Sequence, residues 1–301
     1  MSLLQYSEEQ RQRILSCYGK TQKIIDEDIE NIQNWMKKQP HLPEIADRRI
    51  IERILMTRKY RVEKTKEVLD NYYTLRSLLP EFYEKNVNDN EIKKIMDAVY
   101  FITLPKLTED LNRVTILRTG ANLEDFNVFA YITLTFNVAE VRFREDYCLS
   151  DVQIYDLEGV KAEHLLKFTP TITKRCFIVM EKVFSVRAHG IHFLNASSYV
   201  GPFLNFLKSF LKPKLAERIH IHRDMESLYR TVPKSVLPKD YGGEEKSLAE
   251  LNDLWKDKFL EYRDLFENIR KVRVNEDLRP GKPLDPEFYG IDGNFRKLEV
   301  D

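Results

Sequence analysis

His220 and His222 alternate on the short apolar run Arg218-Ile219-His220-Ile221-His222, so they share one face of a strand. Two imidazoles on one face are half of a structural zinc site. No third ligand is spaced to complete it, and no metal is expected. Asp156 and Glu158 follow the run Val152-Gln153-Ile154-Tyr155 and stand at a strand end, where catalytic carboxylates are often found. No nucleophile or paired base accompanies them, so Asp156-Leu157-Glu158-Gly159 reads as a turn held by its own polar groups. The chain contains no GxGxxG, P-loop, GxSxG or HExxH motif. Cys17, Cys148 and Cys176 are widely separated and show no CxxC spacing, which predicts reduced thiols. Neither an enzyme nor a cofactor is expected from this set.

The chemistry on offer is binding. Pro202 suits the first turn of a helix. At helical spacing from there, Phe203, Phe206, Leu207 and Phe210 fall on one arc, with Leu204 and Leu211 at its edge. Asn205, Lys208, Ser209 and Lys212 fall on the other arc. A stripe of this kind packs into a core or closes a cavity. Basic residues flank it: Arg187 and His189 before the preceding strand, Lys212, Lys214 and Arg218 after the helix. An amphipathic aromatic helix with basic neighbours fits an anionic membrane surface, and the helix is read as a lid with Phe203, Phe206, Leu207 and Phe210 facing inward.

The elements around the lid follow a strand–helix–strand–helix–strand rhythm, which predicts an α/β domain with a mostly parallel sheet. Val152–Tyr155, Gly190–Leu194 and Arg218–His222 are its strands, with a long helix expected over 162–184; Val99–Leu104 and Val114–Leu117 are shorter β-type runs. A helix is predicted from Asn122 to Arg144, with Phe129, Ile132, Phe136, Ala139 and Phe143 along one side and Thr133 and Asn137 close to it. Upstream, Ser7 with Gln10 fits a capping box, and Ile25, Ile29, Ile32 and Met36 mark one helical face. Asp47 caps a helix with Ile50, Ile51, Ile54 and Leu55 inward, and another helix ends at Pro80. Residues 8 to about 85 therefore read as a helical bundle, with a boundary at the polar stretch Asn86 to Asn90. Downstream, Ser247 and Glu250 open a helix to about Val272, and a Pro- and Gly-punctuated tail with Phe288-Tyr289-Gly290 and Phe295 to Leu298 is expected to lie along the body.

The chain of 301 residues has 48 basic and 48 acidic side chains, a balance that argues against nucleic acid as a partner. The first thirteen residues lack an apolar stretch, and no run reaches the length of a membrane span, so a cytoplasmic protein, peripheral at membranes, is expected.

The ordered set Asp156-Leu157-Glu158-Gly159, His164, Pro170, Gly190-Ile191-His192-Phe193-Leu194-Asn195, Phe210-Leu211-Lys212, Glu217-Arg218-Ile219-His220-Ile221-His222 and Leu237-Pro238 with Tyr241-Gly242-Gly243 resembles the CRAL-TRIO (SEC14-like) lipid-binding family. It is most similar to the branch of α-tocopherol transfer protein and cellular retinaldehyde-binding protein. Ile54-Leu55, Arg58-Lys59-Tyr60 and Val62-Glu63-Lys64 resemble that family's N-terminal helical module. The resemblance implies a helical module over 1–88, a lipid-binding domain over 89–245, and a C-terminal helix and tail over 246–301. It implies a monomer that carries one apolar ligand (a tocopherol, retinoid, carotenoid, other isoprenoid or phospholipid) and releases it at phosphoinositide-containing membranes. The competing function is a phosphoinositide-dependent trafficking adaptor whose pocket ligand is secondary. Pocket positions map onto Thr133, Asn137, Val179, Met180, Phe184 and Ile191; Phe193, Phe129, Phe136 and Ile154 complete the candidate lining. The headgroup cleft maps onto Arg187, His189, Lys214 and Arg218, with Arg58 from the helical module. His189 stands where the family has arginine, and Met56 stands where the first arginine of an Arg-x-Arg pair is common.

Overall fold

In the computed structural model, residues 3–120, 123–124, 126–184 and 187–281 are described. Capping decides where the first helices begin. In α1 (Glu8–Ser16), Ser7 and Gln10 form the reciprocal capping box. The helix α2 (Gln22–Met36) buries Ile25, Ile29, Ile32 and Met36 on a single stripe. Asp47 accepts from the Arg49 amide at the start of α3 (Arg48–Thr57), and α4 (Val62–Leu78) stops before Pro80. One further helix, α5 (Asn90–Ala98), was not expected from the polar stretch in front of it; it buries Ile92, Ile95 and Met96 at i, i+3 and i+4.

The sheet has five strands in chain order: β1 (Val99–Leu107), β2 (Asn112–Thr119), β3 (Ser150–Asp156), β4 (Ala188–Leu194) and β5 (Ile219–Ile221). β1 and β2 form an antiparallel hairpin, and every later neighbour is parallel. The register sets Phe101, Leu117, Tyr155 and Phe193 in one row across four strands. The next row, Ile102, Ile116, Ile154 and His192, belongs to the opposite face, because successive side chains alternate.

The parallel connections are helical, as parallel pairing requires. Between β2 and β3 lies α6 (Val128–Glu145), capped by Asn127, which accepts from the Phe129 and Ala130 amides. Asn122, the expected start, lies outside the described residues. The expected continuous helix over 162–184 is two helices, α7 (Ala162–Leu166) and α8 (Pro170–Val179), the latter running into a π-helical turn, Met180–Phe184. The interruption has a simple cause: Pro170 has no amide hydrogen to give, and the Thr169 hydroxyl caps the new start by accepting from the Ile172 amide. Between β4 and β5 lie α9 (Val200–Lys208) and the one-turn α10 (Pro213–Ala216). The short α11 (Met225–Tyr229) follows β5. The helix expected to run to Val272 is likewise two, α12 (Leu248–Glu261), with the Ser247–Glu250 capping box, and α13 (Arg263–Ile269). The tail residues Phe288 to Gly290 and Phe295 to Leu298 lie outside the described residues. Among the described residues no helix is long and apolar enough to cross a membrane.

α6 is the central layer. On one side Phe136 meets Phe82 and Tyr83, each with ring centroids 5.7 Å away. On the other side Tyr131 meets Phe101 of the sheet edge-on at 6.2 Å. The buried Glu140 accepts from Tyr72 (2.8 Å), from Arg144 (2.9 Å) and from Arg76, which fastens α6 to α4. Across the sheet, the Trp255 indole donates to the Thr103 carbonyl at 3.0 Å and docks α12 on β1.

Candidate functional site

The sheet face that carries Tyr155 and Phe193 is covered by α6, α8 and α9. Tyr155 stacks on Phe193 at 5.1 Å, and both pack in a cluster with Leu157, Val200, Leu204, Ile191, Leu207 and Ile219. The lid helix is therefore anchored by Val200 and Leu204, the second of which was placed only at the edge of its stripe by helical spacing. Its phenylalanines reach sideways instead. Phe203 meets Phe168 at 5.9 Å, Phe206 meets Phe210 at 5.1 Å, and Phe210 lies parallel to Phe177 of α8 at 6.1 Å. All three are half-buried. At the far end of the lid, the Lys212 ammonium pairs with Glu181 of the π-helical turn at 2.8 Å.

Behind this lid, Tyr131, Tyr155 and Cys176 combine two properties. Each is enclosed deeply enough that burial raises its pKa: the Tyr155 phenol and the Cys176 thiol are both pushed up to about 12, and Tyr131 is pushed well above the ordinary phenol value. Each nevertheless keeps accessible surface, as do Phe101, Leu117, Ile172, Phe177 and Ile191 around them. These partly accessible side chains gather on the sheet face under α8 and α9. They are mostly rings and aliphatic groups. Among the described residues, no hydrogen-bond partner meets the Tyr131 or Tyr155 hydroxyl.

The residues expected to line the pocket divide. Ile191 and Phe193 stand on the covered sheet face, and Met180 is half-buried at the start of the π-helical turn. Ile154 faces the other way, since it shares a row with Ile116 and His192 and alternates with Tyr155. The expectation for Ile154 is corrected on that ground. Val179 is fully buried in the main core. Thr133, Phe136 and Asn137 turn towards the segment before α5: Thr133 donates to the Phe82 carbonyl at 3.2 Å, and Asn137 accepts from the Val87 amide at 3.2 Å. Phe184 joins Phe136 and Phe143, at 5.1 and 5.5 Å, and Phe129 is exposed beside Phe82. Sequence reading missed Tyr131, Tyr155, Cys176, Phe168 and Phe177. The available signal was Tyr155 itself, which lies in the same run as Ile154 but in the opposite phase.

The expected headgroup residues are partly gathered. The Arg218 guanidinium donates to the Ala188 carbonyl, next to Arg187 and His189, and Lys214 lies one helical turn before Arg218. Arg187 is committed to Tyr18, donating to its hydroxyl with the ring 5.9 Å away. Arg58 donates to the Glu181 carbonyl at 2.8 Å, which brings it to the same turn that holds Lys212. Burial lowers the pKa of Arg58, against the attraction of Glu181 and Glu67. Lys214 and His189 are exposed.

The Asp156 carboxylate is occupied by structure: it accepts from Asn195 (2.7 Å), from Tyr241 (2.9 Å) and from the Glu158 amide (3.1 Å). It is a turn residue, as its sequence context indicates.

Residues 97–243 match the family model of the CRAL/TRIO domain. The chain carries a CRAL/TRIO domain. Residues 21–92, ahead of it, match the model of a Pinta-like UBA domain. The chain is 25% identical over 221 residues to an alpha-tocopherol transfer protein-like sequence of Homo sapiens, covering 72% of this chain and 64% of that protein. It is 25% identical over 228 residues to Clavesin-1 of Xenopus laevis, covering 73% of this chain and 68% of that protein. The chain thus spans somewhat less than two thirds of the alpha-tocopherol transfer protein-like sequences that it matches. A crystal structure of Sfh5 superimposes with a TM-score of 0.51 at 12% identity, over 87% of this chain and 99% of that one, which shows a shared fold.

Proposed function

We propose that this chain binds one apolar lipid between the sheet and α9 and transfers it between membranes. The observation that carries the reading is the group of partly accessible apolar side chains under α8 and α9, among which the polar atoms are the Tyr131 and Tyr155 hydroxyls and the Cys176 thiol. Burial of hydrocarbon supplies the affinity, and one or two hydroxyls set the orientation. That lining fits an isoprenoid-like lipid with a single hydroxyl or carbonyl better than a diacyl phospholipid with a charged headgroup. Native mass spectrometry and thermal denaturation against a panel of lipids test it. A matching lipid stabilises the fold by about 2.7 kcal/mol at a hundredfold excess over its dissociation constant. If neither an isoprenoid alcohol nor a phospholipid raises the melting temperature, the carrier reading fails.

Release at phosphoinositide-containing membranes is the second part of the reading. It is supported by Lys214, Arg218, His189, Arg187 and Arg58 lying around the end of α9 and the start of β4, and by the apolar side chains beside them. Leu166 of α7 is 79% exposed, close in sequence to Phe168, which packs on the lid. Lys214 is the cleaner probe of the headgroup, because the Arg218 guanidinium also supports the backbone at Ala188. A basic residue near an anionic surface is worth about 1 kcal/mol. Lys214→Ala is expected to weaken binding to phosphoinositide vesicles by about fivefold at low salt, with cargo affinity in solution unchanged. Leu166→Glu is expected to weaken binding to the same vesicles at high salt, where the charge contribution is screened.

A further inference from the structure

Three of the six histidines meet at the β4–β5 edge, on the face opposite the one that α9 covers. His192 is buried, His222 is half-buried, and His220 is exposed. The His192 and His220 rings stack at 5.2 Å, and those of His192 and His222 at 5.1 Å. Nδ1 of His192 lies 2.8 Å from Nε2 of His222, and Nδ1 of His222 lies 3.0 Å from the Ser227 hydroxyl of α11. Gly190 is what admits the ring: a Cβ there would collide with Nε2 of His192.

One choice of tautomers satisfies all of these contacts together. Ser227 donates its hydroxyl to the Asp224 carbonyl at 2.7 Å, so toward His222 it is an acceptor. His222 must then carry its proton on Nδ1, which leaves Nε2 as an acceptor. His192 must carry its own proton on Nδ1 and donate it. The result is one continuous relay, from His192 to His222 to Ser227 to the Asp224 carbonyl, in which both imidazoles are neutral. A second proton on His222 removes the acceptor that His192 needs. A second proton on His192 buries a charge among histidines.

The other titratable groups acting on the pair are His189 on β4, His220 on β5 and Asp224 ahead of α11. Only Asp224 opposes protonation-induced repulsion, and it acts on His222 alone. Burial first, then His222, His220 and His189, lowers His192 to about 4, and burial with His220 lowers His222. An opened edge binds protons near the ordinary imidazole value of about 6.5. Stability of the closed edge is therefore fully present above about pH 6.5 and is lost as pH falls towards the folded-state value.

We propose that His192 and His222 form an acid-sensitive clasp that holds β5 on β4, and with it the C-terminal anchor of the lid. Besides Ile219, which packs on the lid-side cluster, three register pairs join β5 to β4, continued by the Arg218 carbonyl and the His222 amide. The lid α9 and the basic turn α10 are strung between Leu194 and Ile219, so loosening β5 loosens one end of both. A negatively charged membrane surface at about −30 mV concentrates protons roughly threefold, in the direction that opens the clasp. The effect on cargo rests on the proposed transfer function; the clasp itself does not.

Amide hydrogen exchange of the full chain, without lipid, at pH 7.4 and pH 5.5 tests the clasp, after correction for the intrinsic pH dependence of exchange. The segment 219–222 is expected to exchange at least tenfold faster relative to β2 at the lower pH, and His192→Gln/His222→Gln is expected to abolish that dependence. Long-range proton–nitrogen NMR of the unaltered protein at pH 7.4 is expected to show Nδ1-protonated imidazoles for both residues. The proposal is overturned by an acid-insensitive β5, by the same acid response in the double variant, or by Nε2-protonated rings. Because no lipid is present, failure here leaves the transfer reading standing, and failure of transfer leaves the clasp standing.

Discussion

Asn137 donates to the Thr133 carbonyl at 2.7 Å and accepts from the Val87 amide, so its side chain joins α6 to the segment before α5. Asn137→Ala leaves a buried amide without a partner, at a cost of about 1–3 kcal/mol, read as a lower urea midpoint. Selectivity among lipids is expected to stay unchanged. Tyr155→Phe does the reverse. Stability is expected to hold, while affinity for a lipid alcohol falls by about 0.5–1.5 kcal/mol relative to the matching hydrocarbon, measured by competition binding. The difference between these residues was hard to read in the sequence for a physical reason. In β3 the more aliphatic phase, Val152 and Ile154, packs the solid core, and the less aliphatic phase, Gln153 and Tyr155, lies on the face that α9 covers. Hydrophobicity marks the densest packing, and a binding cavity is not that. On α6 the stripe through Phe129, Phe136 and Phe143 likewise marks the side against the N-terminal helices, because this helix is buried on both sides.

At the level of elements, capping boxes, proline stops and alternation made the helix starts, the strands and their order legible. The splits at Pro170 and at Tyr262 were not, because apolar periodicity continues across both breaks and only local hydrogen bonding interrupts the helix. The helix α9 was legible as amphipathic, but its anchor was not: Leu204, rather than the phenylalanines, is the residue held in the sheet-side cluster. The lid can be pinned at its Phe168–Phe203 contact. A short thiol crosslink between Phe168→Cys and Phe203→Cys, in a Cys17→Ser background, is expected to retain bound cargo and to slow vesicle-to-vesicle transfer at least tenfold. Transfer at the uncrosslinked rate makes α9 ordinary core.

For the whole molecule, two buried charge networks join the N-terminal helices to the α/β body. Glu140 with Arg76 and Arg144 is one. Asp146 is the other: it takes Arg113 at 2.9 Å and Arg142 at 2.8 Å, with Arg53 of α3 at 4.0 Å and donating to the Cys148 carbonyl at 3.1 Å. Removing one member strands the rest. Glu140→Ala is expected to cost about 3–5 kcal/mol in denaturant unfolding. Burial alone would raise the Asp146 carboxyl, but Arg113, Arg142 and Arg53 overcome it and hold its pKa well below the usual carboxylate range. That stability is present above about pH 4 and is lost as the pH falls further, so Asp146→Asn is expected to flatten the acid limb of the stability curve. Calorimetry is expected to give one transition for both regions together.

The lid has two tethers, one at the end of β4 and one at the start of β5, and it cannot leave. Its phenylalanines are therefore a ligand that the protein always carries, at an effective concentration of about millimolar for a short linker. On the proposed transfer function, cargo does not enter an empty receptor; it enters one whose mouth is contested by a resident competitor with a very fast return. Any bilayer that holds the lid open has to outbid that competitor only for as long as one molecule takes to cross. A transfer protein built this way gains speed from weak, brief docking, and a mutant that grips membranes more tightly is a slower carrier.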